Sequence, residues 1–171
     1  HERALGAIVA ERYPDIPVSL SSDILPEFRE YDRAITTVMN DYVRPIMKRY
    51  LSRIEDRLDK EGVSARLHIV RSDGGLMSAA AASERPVHTV LSGPAGGVTS
   101  TVMLSRRSGI SKLLAFDMGG TSTDVSVIID GEATISRSTE VGMFPAKVPT
   151  RTCCQRRQCG ARLSATGASW R

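Results

Sequence analysis

Residues 115–131 read AFDMGGTSTDVSVIIDG, and the reading of this stretch decides the fold. Two apolar runs, Leu113 to Phe116 and Val125 to Ile129, flank an acid, two glycines, three hydroxyl residues and a second acid. The runs predict two strands, and Asp130-Gly131 predicts a two-residue hairpin turn after the second. Gly119 and Gly120 tolerate positive φ, so the backbone between the strands can turn tightly and its N–H groups can converge on an anion. Thr121, Ser122 and Thr123 add hydroxyls that can donate to phosphate oxygens. Asp117 repels a bare phosphate unless a cation lies between them, and magnesium, which prefers oxygen ligands and keeps several waters, fits that place. Asp124 is then positioned to orient a water or to act as an outer-shell ligand. A plain hairpin with a glycine turn and solvated polar groups suits the same residues, and spacing alone leaves both readings open. Neither a GxxxxGK[ST] phosphate loop nor a GxGxxG dinucleotide signature occurs in the chain.

Working outward, Ser92-Gly93-Pro94-Ala95-Gly96-Gly97 precedes a predicted helix from Val98 to Arg107. Its amides can face a phosphate at the helix N-terminus, or its glycines can permit close packing of helix on strand, the reading favoured for the segment alone. Gly93, Gly96 and Gly97 are therefore secondary candidates for phosphate binding. Upstream, Arg66 to Val70 predict a strand, Ser72-Asp73-Gly74-Gly75 a turn, and the alanine-rich Met77 to Ser83 one or two helical turns before Pro86. Apolar residues from Ile35 through Val38, Met39, Tyr42, Val43, Ile46, Met47, Tyr50, Leu51 and Ile54 to Leu58 carry helical spacing. They predict a long helix, kinked at Pro45 and stopped near Gly62, whose Met and Tyr stripe faces a core. Residues 1–13 read as the end of a helix, broken by Pro14 and Pro17 and followed by a short strand at Val18 to Leu20.

Composition narrows the function classes. With 171 residues, 41% hydrophobic and 25% charged, the chain has the profile of a globular protein. No run of about 18 apolar residues predicts a membrane span. The net charge of +4 is concentrated at one end: residues 151–171 hold five arginines and no acid, leaving 18 basic against 19 acidic residues in the body. That balance removes the electrostatic case for nucleic-acid binding. Cys153, Cys154 and Cys159 all lie in the same tail, without the paired spacing or nearby histidines of a zinc site.

Five stretches give the chain a resemblance to the hydantoinase A and 5-oxoprolinase family: SSDILPEFREYDR at 21–33, TTVMNDYVRP at 36–45, SDGGLM at 72–77, LSGPAGGV at 91–98 and FDMGGTSTDVS at 116–126. Their order and spacing resemble the middle region of that family over roughly residues 1–150. The resemblance implies an α/β chain that is part of an actin-like ATPase fold, similar to sugar kinases and heat-shock chaperones. One incomplete lobe plus a long helix would be present. It implies that residues 1–110 end a first lobe with its connecting helices and that 111–150 begin a second lobe with its phosphate-binding hairpin. Asp117 would face magnesium through water, Gly119, Gly120, Thr121 and Ser122 the phosphates of ATP, and Asp124 the same pocket.

The activity implied is ATP-dependent opening of a small cyclic amide such as a hydantoin or 5-oxoproline, with a hydantoinase B-type subunit as partner and a cytoplasmic setting. An acetone or acetophenone carboxylase-like ATP-using subunit is the alternative within the resemblance, and a non-catalytic binding module the alternative outside it. A sugar kinase shares the hairpin but not the SSDILPEFREYDR and LSGPAGGV stretches. After Pro149 the resemblance stops, and a glycine-rich segment expected there is replaced by RTCCQRRQCGARLSATGASWR. Arg, Ala, Cys and Trp are what a GC-rich glycine run yields out of frame. The tail, residues 151–171, is therefore expected to be frameshifted or disordered, and the chain, which begins at His1, to be a fragment with little catalysis alone.

Overall fold

The computed structural model describes residues 1–118, 123–136, 139–141, 144–151 and 154–155. Gly119, Gly120, Thr121 and Ser122, and all of the tail beyond Arg151 except the backbone of 154–155, lie outside the described residues. In chain order the elements are α1 (Glu2–Arg12), α2 (Ser21–Ile24), α3 (Glu30–Lys60), β1 (His68–Val70), β2 (Leu76–Ser78), α4 (Ala79–Glu84), a 3-10 turn (Pro86–Thr89) and α5 (Ser92–Ser108). Strands follow: β3 (Lys112–Met118), β4 (Thr123–Ile129), β5 (Glu132–Ala133), β6 (Ile135–Ser136), β7 (Thr139–Val141), β8 (Phe144–Ala146), β9 (Thr150–Arg151) and β10 (Cys154–Gln155). They gather into two units, each assembled from three separate stretches of chain.

The first unit holds residues 1–69, 76–90 and 137–149 and is organised around α3. Glu30 and Asp32 in its first turn and Arg57 and Lys60 in its last complement the helix dipole. It ends in a Schellman motif: Gly62, at φ +70°, donates to Asp59 O at 3.1 Å and Val63 to Leu58 O at 2.9 Å. Pro45 sits within it. The stripe expected to face a core does so in part: Leu51 is buried and Ile35, Met39, Val43, Met47, Ile54 and Leu58 are half-buried, but Val38, Tyr42, Ile46 and Tyr50 are exposed, and the buried side also takes in the polar Thr36 and Asn40.

Asn40 supplies the reason. Pro86 prevents α4 from continuing, which leaves backbone groups around it without helical partners. The Asn40 amide donates to Glu84 O at 3.2 Å and accepts from Val87 N at 3.3 Å. Thr36 Oγ1 similarly accepts from Lys147 N at 3.2 Å. Inside this polar seam, Ile24, Val87 and Val148 form a small core with Met39 against it. Residues 18–20 are no strand: Val18 O and Ser19 Oγ accept from Arg44 at 3.1 and 3.4 Å, so a side chain takes the place of a ladder partner.

The second unit holds residues 70–75, 91–136 and the chain from 150. β3 and β4 pair antiparallel over seven positions, from Lys112↔Ile129 to Met118↔Thr123. β5 follows β4 through Asp130 and Gly131, at φ 53° and 72°, the geometry of a type I′ turn. β10 pairs with β4 along its other side, with Gln155 opposite Asp124. α5 starts at Ser92, six residues before the expected Val98, and packs on β3 and β4 through its buried Ala95, Val98, Val102 and Ser105.

Candidate phosphate and cation site

Antiparallel pairing fixes which side chains share a face of the hairpin. Asp117 lies directly opposite Asp124, Ala115 opposite Ser126, and Leu113 opposite Ile128. These six share one face because alternate residues of a strand point the same way. Ile128 is fully buried, Ser126 is 4% exposed, Asp124 is half-buried and Asp117 is exposed, so the face grades from apolar floor to charged mouth.

Over this face the first turns of α5 enclose a cleft of about 320 Å³. Pro94, Gly97, Val98 and Thr101 form its helix wall, and Ala115, Phe116, Asp117, Asp124 and Ser126 its strand wall. At the far end α5 is tied to the hairpin: Arg106 Nε donates to Gly131 O at 3.2 Å, and Ser105 Oγ donates to Ile110 O at 2.6 Å. The near end begins at Leu91, whose φ of 60° is left-handed, and no side chain caps it.

Among the described residues, packing does not explain the glycines of α5: a Cβ built at Gly93 or Gly97 meets none of them within 4 Å, and one at Gly96 meets Val70 Cγ1 at an ordinary 3.9 Å. Gly97 borders the cleft together with Asp117 and Asp124; Gly96 turns towards Val70, and Gly93 is not part of the lining. The contrast is Gly74, at φ +80°, where a Cβ would lie 2.2 Å from Thr99 Oγ1 and 2.6 Å from Arg151 Nε. That glycine is required by the backbone: Arg151 donates through Nε to Asp73 O at 2.8 Å and through N to Ser72 O at 2.9 Å, pressing on the turn.

Two carboxylates directly opposite on neighbouring strands repel one another, and a cation between or before them removes the repulsion. Among the described residues no three His, Cys, Asp or Glu side chains gather into a ligand cage. Two carboxylates, nearby hydroxyls and an open approach suit a hard cation that keeps most of its waters, which is the habit of magnesium bound with phosphates. The space a Cβ would fill at Gly97 suits close approach of the ligand to the helix backbone. Ser126 and Thr101 escaped the sequence reading. The alternation Asp124-x-Ser126 was the available signal for the first, while Thr101 depends on how α5 packs.

Comparison with proteins of known structure shows the class first. Over 90% of the chain, the structure matches a nucleotide-free acetone carboxylase described with the mechanism of ATP-dependent acetone carboxylation, at a TM-score of 0.74 and 27% identity. The fold is thus α/β, a partial actin-like ATPase fold with one incomplete lobe and a long helix. The model of the hydantoinase/oxoprolinase family matches residues 33–155, and the chain belongs to that family. Caprolactamase subunit alpha of Pseudomonas jessenii is 32% identical over 149 residues, covering 87% of this chain and 21% of that protein. The 5-oxoprolinase of Saccharomyces cerevisiae is 39% identical over 133 residues, covering 77% and 10%. The chain spans 21% of the acetone carboxylase chain as well, so it corresponds to about a fifth or less of each relative. No helix among the described residues is long and apolar enough to cross a membrane.

Proposed function

We propose that this chain carries the second phosphate hairpin of an ATP-dependent enzyme that opens small cyclic amides of the hydantoin or 5-oxoproline type. The observation that carries the reading is the Asp117–Asp124 pair, held in register at the mouth of a cleft whose other wall is the glycine start of α5. An amide ring is a poor electrophile, and phosphorylation of its oxygen makes the carbon more reactive. Such a reaction needs positioned phosphates and charge neutralisation above all. ATP supplies the phosphoryl group. Asp117 holds the magnesium hydration shell, Asp124 orients a water of the same shell, and Gly119, Gly120, Thr121 and Ser122 receive the phosphates with Gly97; Gly93 and Gly96 are secondary candidates.

In this reading residues 1–110 close a first lobe and 111–150 open a second, and the protein works in the cytoplasm with a hydantoinase B-type subunit. The names of the caprolactamase and oxoprolinase relatives support the cyclic-amide branch. The likeness to acetone carboxylase favours a second reading, an ATP-using carboxylase subunit with the same phosphate site. Because the relatives are several times longer, little turnover is expected from these 171 residues alone.

Calorimetric titration with Mg-ATP tests the reading on the 171-residue chain and on Asp117→Ala. Binding that requires magnesium and weakens at least about tenfold in the variant is expected, a loss of roughly 1.4 kcal/mol. Absence of binding by the folded chain, or equal binding by the variant, would overturn it.

A further inference from the structure

We propose that Ser126 is a cation-positioning residue, whose hydroxyl holds a water of a divalent cation's hydration shell behind the Asp117–Asp124 pair. The inference rests on the magnesium-phosphate reading of the cleft and adds to it a residue to which that reading gives no role.

Three observations carry it. Ser126 is 4% exposed and lines the cleft, the next pair on the same face below the two carboxylates. Opposite it stands Ala115, whose methyl group offers no hydrogen bond. Among the described residues, no hydrogen bond is made by the Ser126 hydroxyl, whereas Thr101, the hydroxyl on the helix wall, donates to Gly97 O at 2.9 Å. The hydroxyl is not sealed within protein but meets the cleft, where a water can bond to it, whereas Ile128, two positions on, closes the floor with apolar surface. Asp124 and Ser126 share a face about 7 Å apart along β4. A single water about 2.8 Å from each oxygen spans that distance once the side chains lean together. The serine thus fits the outer-shell role that orients a metal's waters.

Manganese serves as the probe. Depletion of the free Mn²⁺ signal in electron paramagnetic resonance gives its affinity for the 171-residue chain, and thermal melts with chelator and with Mn²⁺ give the stabilisation it confers. Ser126→Ala is expected to weaken Mn²⁺ roughly tenfold and to shrink the Mn²⁺-dependent rise in Tm. Its Tm in chelator should stay level, because the hydroxyl makes no bond within the protein and meets the cleft. Ser126→Thr, which keeps the hydroxyl in a strand-compatible side chain, should stay within about twofold of the original affinity.

Unchanged Mn²⁺ affinity in Ser126→Ala overturns the inference, as does a Tm in chelator that falls by several degrees, the mark of a structural hydroxyl. Failure of the original chain to bind Mn²⁺ overturns it too. The Mg-ATP titration of Asp117→Ala separates the two readings: if that binding behaves as expected while Ser126→Ala binds Mn²⁺ normally, only the serine's role is lost.

Discussion

At position 97 a side chain would project into space that the described residues leave open. In a helix interior, glycine costs about 0.8–1 kcal/mol relative to alanine, so Gly97→Ala should raise stability by roughly that amount. The added methyl group would also stand in the cleft, and Mg-ATP affinity should fall. Stability and affinity moving in opposite directions, by denaturant titration and calorimetry, is the expected outcome; a gain in stability with unchanged affinity would place the phosphates elsewhere. Gly74→Ala should instead destabilise by about 1–3 kcal/mol, because the left-handed backbone and Thr99 both resist a Cβ. The two acids flanking the glycine turn were legible as candidates from their positions between apolar runs. What each glycine is for was not, since a sequence does not say where a Cβ would point.

Among the elements, α3 was read correctly as a long helix, and part of its buried side was too, yet Tyr42, Ile46 and Tyr50 lie in water and Asn40 does not. Hydrophobic periodicity marks the residues able to be buried, while Asn40 is buried because chain 44 residues further on has backbone groups to satisfy. α1 is also held by contacts from beyond its own element, 19 and 20 residues on. Ser21 N and Ser22 N donate to the Glu2 carboxylate at 2.5 and 3.1 Å, and Arg33 Nη2 lies 3.5 Å away. Hydrogen bonds from Ser21 and then Ser22 hold the Glu2 carboxyl down to about 2 from its ordinary 4.5. A depressed carboxyl contributes stability above its unfolded value and loses it as pH falls through the folded one. Glu2→Gln should therefore lower Tm near neutral pH, with the gap to the original chain narrowing between about 4.5 and about 2. Melts across that range check it, and a gap independent of pH would mean that the carboxylate charge is not what matters.

On the scale of the whole molecule, apolar surface remains in water. Val38, Tyr42, Ile46 and Tyr50 are 57–79% exposed along one side of α3, and Leu114, Phe116 and Met118, which alternate along β3 with Leu113, Ala115 and Asp117, are 44–76% exposed. Such patches bind apolar dyes. Tyr42→Ser combined with Ile46→Lys should lower fluorescence of anilinonaphthalene sulfonate while changing stability by no more than about 0.5 kcal/mol per site. Undiminished fluorescence would show that the α3 stripe is covered in solution.

Each unit is stitched from three separated pieces of sequence, and this has a bearing on how the chain is made. Segment 137–149 must return to a body begun at residue 1, and segment 70–75 must wait for strands that arrive about forty residues later. On a ribosome, neither unit can be completed when its first stretch emerges. Closing such long loops is slow, so the nascent chain should dwell with α3 formed and its polar seam unfilled, a state in which chaperones find their substrates.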